Sequence, residues 1–128
     1  MAARYVLDAS ALLCLLNAEA GATVVEQALS ESVIGTVNYS EVVAKLVERG
    51  ASSELVESIL DPLHLDVVDF DRAQAVSAGA LRSTTRQAGL SFGDRACLAL
   101  GELRGLAALT TDREWSSLRL DVPVQQVR

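Results

Sequence analysis

Four acidic residues, Asp8, Glu41, Asp94 and Asp112, stand where an alternating strand-and-helix chain would place its chemistry. Asp8 closes the strand-like run Arg4-Tyr5-Val6-Leu7, and Asp112 follows a later one, Leu106-Ala107-Ala108-Leu109-Thr110. Open α/β sheets bind ligands beyond the carboxyl ends of their strands, beside a topological switch point. Glu41 falls in the first turn of a helix expected to follow a second strand. Asp94 falls in the first turn of the helix that leads into the Asp112 strand. First turns after strands open on the same edge of the sheet, so all four carboxylates are expected in one cleft.

Each acid also has a plainer reading. Asp8 is a favoured helix N-cap, and Glu41 stands four residues before Lys45, a spacing for an exposed ion pair. Ser91-x-x-Asp94 has the form of a capping box, and Asp112 fits a turn in which it pairs with Arg113. Asp94 resists that treatment most. Its helix continues Ala96-Cys97-Leu98-Ala99-Leu100, apolar on nearly every side, and a carboxylate on a buried helix is costly unless paired, hydrogen-bonded or bound to a metal. One shared cation explains four such acids together. Mg²⁺ and Mn²⁺ prefer oxygen ligands, and Mg²⁺ keeps several waters, so a few carboxylates suffice. Such an ion offsets the mutual repulsion of the acids, acidifies a bound water and neutralises the leaving oxygen of a phosphodiester. This chemistry needs neither His nor Cys.

The elements that must position these acids alternate throughout, which predicts an α/β fold: a central, mostly parallel sheet of four to five strands flanked by helices. Strands are expected over 4–7, 33–37, 65–68 and 106–110, with a further edge strand over 122–127 where Pro123 is tolerable. Helices are expected over 9–18, 22–29, 39–48, 53–60, 71–87 and 91–104, with a short turn over 114–117. Asn38 is read as the N-cap of the 39–48 helix. That helix presents Tyr39, Val42, Val43, Leu46 and Val47 as its apolar face, and the 71–87 helix presents Ala73, Val76, Ala80 and Leu81.

The chain of 128 residues suits one domain over 1–128, and with half its residues hydrophobic it can bury a core. No stretch approaches the roughly 18–20 uninterrupted apolar residues of a membrane span. The first residues resemble a weak leader, but Asp8 interrupts the apolar run. The run is read as the first strand and helix, and the protein as cytoplasmic. Cys14 and Cys97 lie in apolar helical patterns and are read as buried free thiols. His64, the one histidine, is read as a loop or surface residue. The net charge of −6 is unusual for a nucleic-acid binder. With four acids set aside for a metal, however, the remaining charges nearly balance. Ten of the eleven basic residues are arginine, whose planar fork suits phosphate.

Four segments carry a resemblance to a known family. Val6-Leu7-Asp8-Ala9-Ser10-Ala11-Leu12-Leu13 resembles the opening motif of PIN domains, and Asn38-Tyr39-Ser40-Glu41-Val42 the second. The run from Leu90 through Ser91-Phe92-Gly93-Asp94-Arg95 to Leu100 is very similar to the third motif of bacterial VapC-type toxins, and Leu109-Thr110-Thr111-Asp112-Arg113-Glu114-Trp115 resembles the fourth. Order and spacing agree over essentially the whole chain, although 51–88 carries little of the signal. The resemblance implies a parallel sheet between helices, a Mg²⁺ or Mn²⁺ site, hydrolysis of RNA (tRNA or rRNA), homodimerisation and inhibition by a small VapB-type antitoxin. Carried over residue by residue, it makes Asp8, Glu41, Asp94 and Asp112 the acidic site. Ser10 supports Asp8, Thr110 or Thr111 lines the pocket, and Arg95, Arg113 and Arg86 are candidate phosphate contacts. It also places the antitoxin on apolar surface around 11–29, with a cation reaching the acids. Other classes fit less well. A dehalogenase-type phosphatase wants Asp-x-Asp where this chain has Asp8-Ala9-Ser10, and a receiver domain wants a lysine after a late strand, whereas Lys45 lies in a helix. A PIN nuclease acting without an antitoxin, or a PIN module that binds without cutting, are the alternatives.

Overall fold

A computed structural model describes residues 2–128. Five strands form one sheet, β1 (Tyr5–Leu7), β2 (Ser32–Gly35), β3 (Asp66–Val68), β4 (Ala107–Thr110) and β5 (Val124–Gln126), in the order β3-β2-β1-β4-β5 with every pairing parallel. The helices are α1 (Ala9–Leu16), α2 (Ala22–Ala28), α3 (Thr36–Glu48), α4 (Ser53–Leu60), α5 (Arg72–Ala80), α6 (Arg82–Thr85) and α7 (Phe92–Arg104). Short 3₁₀ turns occupy Leu29–Glu31, Asp61–Leu63 and Arg113–Ser117. The chain winds outward from β1 to β3, then returns to lay β4 against the free side of β1. The switch point therefore lies between β1 and β4.

Successive strand residues face opposite sides of a sheet, and both faces here are covered. Leu7, Ile34 and Leu109 enter one core with Leu12, Val25, Val42, Leu46, Val56 and Leu60. Their neighbours Val6, Val33 and Ala108 enter the other, with Cys97, Leu98, Leu100, Trp115 and Val122. The two-sided burial of β1, β2 and β4 is why these strands read as apolar runs rather than as alternating ones. Cys14 and Cys97 are buried and free. No helix among the described residues is long and apolar enough to cross a membrane.

Several boundaries differ from expectation. Strand β2 stops at Gly35, and Thr36 and Val37 are helical despite their β-branched side chains. Asn38 is thus inside α3 rather than at its cap, and Glu41 lies beyond the first turn. Helix α1 ends at Leu16, with Ala18 in the left-handed conformation (φ 51°). The helix expected over 71–87 is divided into α5 and α6, and of its expected apolar side Ala73, Val76 and Ala80 are exposed while Leu81 packs against the second core. Val76 is 68% exposed, whereas Gln74 and Ala78 are buried. Small Ala78 permits close approach to α7, and the Gln74 side chain donates to the Asp69 carbonyl at 2.9 Å. Val47, expected on the apolar face of α3, is also exposed. Around α1 and α2, Leu13, Leu15, Leu16, Val24 and Leu29 pack against the first core, and the large exposed apolar side chains all lie elsewhere.

Candidate active site

Asp8 and Asp112 follow the two strands that flank the switch point. Asp8 leaves β1 at the helix N-cap position, but its side chain caps nothing. The hydroxyls of Ser10 (2.6 Å) and Thr110 (3.0 Å) both donate to its Oδ2. Those hydroxyls are fixed in turn, because the Thr111 amide donates to Ser10 Oγ (3.1 Å) and the Asp112 amide to Thr110 Oγ1 (3.0 Å). The β4 end therefore holds Asp8 across the β1–β4 seam. Asp8 and Thr110 are buried, and Thr111 contributes its backbone.

Glu41 arrives from α3. Lys45, its expected partner, pairs with Glu48 instead (3.3 Å). The Glu41 carboxylate accepts from Asn38 Nδ2 at 2.9 Å, and the same amide donates to the Gly93 carbonyl at 3.0 Å. Asn38 is completely buried and so ties α3 to the first turn of α7. Gly93 completes the cradle: a Cβ there would overlap the Glu41 carboxylate. Asn38 and Gly93 are the site residues that sequence reasoning missed. The one available signal was an amide three residues before an acid on the same helix.

Asp94 does form the capping box with Ser91: Asp94 Oδ2 accepts the Ser91 amide at 2.9 Å, and Ser91 Oγ accepts the Asp94 amide at 3.1 Å. Its other oxygen takes no part in the box, so capping and a role in the cleft are compatible. Asp112 caps the Arg113–Ser117 turn by accepting the Glu114 amide at 2.9 Å, and makes no ion pair with Arg113.

Three of these acids feel the charge of a neighbouring one. Burial raises the Asp8 carboxyl to about 6, opposed by the Ser10 and Thr110 bonds and reinforced by the charges of Asp94 and Glu41. Burial likewise lifts Glu41, with the Asn38 bond lowering it and Asp94 raising it. It lifts Asp94 too, against the Ser91 bonds and with help from Asp112. Buried Cys97, one turn beyond Asp94, is pushed well up by desolvation and then by Asp8, Asp94 and Glu41, so it stays a neutral thiol beneath the cluster.

A hard divalent cation fits this donor set, which is oxygen throughout. Asp8 has one oxygen that receives neither hydroxyl bond, and burial penalises its charge. Among the described residues no three acid, His or Cys side chains converge closely enough to enclose a metal by themselves. Mg²⁺ does not require such a cage, because it keeps part of its water shell.

The arginines divide. Arg86 and Arg113 are exposed and free of ion pairs among the described residues. Arg95 is committed to the fold: it donates to the Ala78 carbonyl at 2.9 Å and lies over the Phe92 ring. His64 sits in a loop in the left-handed conformation (φ 49°).

Comparison with known proteins identifies the family of the fold. A family model described as PIN domain matches residues 5–120. Ribonuclease VapC42 of Mycobacterium tuberculosis is 32% identical over 111 residues, covering 78% of this chain and 84% of that protein. The fold is shared with DNA-bound VapBC from Salmonella typhimurium (TM-score 0.76, 18% identity, 98% and 99% of the two chains). It is shared also with a toxin–antitoxin complex from Klebsiella pneumoniae (TM-score 0.74, 18% identity, 97% and 98%). With the PIN-domain model matching most of its length and a VapC relative 32% identical over most of both chains, the chain belongs to the PIN-domain family, in its VapC branch.

Proposed function

We propose that this protein is an endoribonuclease dependent on Mg²⁺ or Mn²⁺, the toxin of a VapBC-type pair. The observation that carries this reading is buried Asp8, held by two hydroxyls at the switch point of a parallel sheet, with the charges of Asp94 and Glu41 felt at its carboxyl. Asp8, Asp94 and Asp112 would hold the cation, directly or through water, and Glu41 would complete that shell or orient the attacking water. When bound, the cation supplies charge neutralisation and a water of lowered pKa.

The chain's own groups do the rest. Ser10 and Thr110 fix the Asp8 carboxylate, and Asn38 fixes Glu41. In-line attack on phosphorus then leaves a 5′-phosphate and a 3′-hydroxyl. Arg86 and Arg113 offer free guanidinium groups to flanking phosphates. The substrate is tRNA or rRNA, the protein works in the cytoplasm as a homodimer, and a small VapB-type antitoxin silences it. The complexes among its structural neighbours and its VapC relative support this partner.

The test is incubation of antitoxin-free protein with a pool of tRNA and rRNA, in Mg²⁺, in Mn²⁺ and in EDTA, with sequencing of the fragment ends. Discrete cuts bearing 5′-phosphates in either metal, absent in EDTA, are expected. A folded protein that cuts nothing in either metal would favour a PIN module that only binds.

A further inference from the structure

Two residues before Asp94, at the first position of α7, stands Phe92, about half exposed. An open groove of about 620 Å³ runs beside it, lined by Thr36, Val37, Ser40, Glu41, Ser91 and Gly93. Glu41, one of the four candidate acids, lines this groove together with Gly93 against which it packs, and Asp94 follows Gly93 in sequence, so the groove adjoins the candidate site.

The ring is braced from behind. Phe70, in the loop after β3, meets it edge to face, with ring centroids 5.5 Å apart and planes at 87°. The Phe70 amide donates to Thr36 Oγ1 at 3.1 Å, which ties that loop to the groove wall. The Arg95 guanidinium lies 5.8 Å from the Phe92 centroid and is anchored on the Ala78 carbonyl. A fixed aromatic ring, partly open to solvent and with a cation behind it, is the arrangement on which unpaired nucleobases stack. A phosphodiester placed at the acids must carry its neighbouring nucleotides along one arm of the cleft or another, and this arm offers an aromatic surface.

We propose that Phe92 is a stacking platform for a nucleobase flanking the scissile phosphate of single-stranded RNA. The proposal rests on the ribonuclease reading and adds to it a base subsite. Phe70 and Arg95 are its positioning residues.

Binding of a fluorescently labelled single-stranded RNA is measured by anisotropy in EDTA, so that no cutting intervenes, for wild type, Phe92→Leu and Phe92→Trp. The same strand is then scanned with single abasic substitutions. Melting curves confirm that each variant is folded, and Phe92→Trp keeps an aromatic face should the leucine variant fold poorly. Phe92→Leu is expected to weaken binding about 10-fold. Phe92→Trp should restore it, with quenching of the new tryptophan on binding; Trp115 is buried and remains a constant background. At one abasic position the difference between wild type and Phe92→Leu should vanish. A leucine variant that binds every strand as wild type does would overturn the proposal, as would one that loses only the affinity for a protein partner. Cleavage by wild type in metal separates the two claims. If it persists while Phe92→Leu changes nothing, the stacking idea alone fails; if wild type neither binds nor cuts RNA, both fail.

Discussion

Asp8 shows most directly how a single residue stores the cost of function. Its carboxyl is buried, surrounded by like charges and raised to about 6. In the unfolded chain an aspartate titrates near 3.9. The folded state therefore binds this proton more tightly, and the metal-free protein loses stability as pH rises from about 4 through 6, with the full cost present above that. The shift corresponds to roughly 2–3 kcal/mol. Asp8→Asn should consequently raise the melting temperature of the metal-free protein at pH 7.5 and flatten its dependence between pH 4 and 7. Melting curves across that range check this, and a variant less stable than wild type at pH 7.5 would mean that the charge is not penalised.

Gly93 offers the opposite experiment. A methyl group there meets first the carboxylate end of Glu41, a flexible side chain, so Gly93→Ala should melt close to wild type yet cut RNA roughly 100-fold more slowly, the scale expected for misplacing a positioned group by about an ångström. Single-turnover cleavage beside a thermal melt separates the two effects. Asp8 could be read from the sequence because it ends an apolar strand. Asn38 and Gly93 could not, because their bond joins residues 55 positions apart and depends on how α3 meets α7.

At the level of elements, the strand–helix alternation was legible because β1, β2 and β4 are buried on both faces and their apolar runs are short and bounded. The errors share one cause, tertiary packing overriding local pattern. Thr36 and Val37 read as strand, yet Gly35 ends β2 and the chain turns at once into α3. The side of α5 richest in hydrophobic residues read as buried, yet α5 meets α7 through Ala78 and the bonded Gln74. Helix α4 was anticipated at both ends and α7 to within one residue. Ser91 caps α7 and Gly105, with φ 66°, ends it. Because the Ser91 hydroxyl accepts the Asp94 amide, Ser91→Ala should cost about 1 kcal/mol, read as a loss of a few degrees in melting temperature.

The whole molecule carries a charge of −6 and must still accept a polyanion. In the proposed function a divalent cation would resolve part of that conflict, and the exposed guanidinium groups of Arg86 and Arg113 would resolve more. Each replaced by glutamate should lower kcat/KM several-fold and make cleavage less sensitive to salt, since a phosphate contact releases counterions. A salt titration of the cleavage rate measures this, and an unchanged slope would remove that arginine from the RNA path.

The measurement that bears most directly on the shared acid site is Mn²⁺ binding, followed by titration calorimetry, with RNA cleavage assayed on the same samples of wild type, Asp8→Asn and Asp94→Asn. Wild type is expected to bind Mn²⁺ and cut, while both variants stay folded, bind the ion far more weakly and lose cleavage. Undiminished cleavage by either variant, or cleavage by wild type in EDTA, would contradict a single metal-dependent site built from these acids.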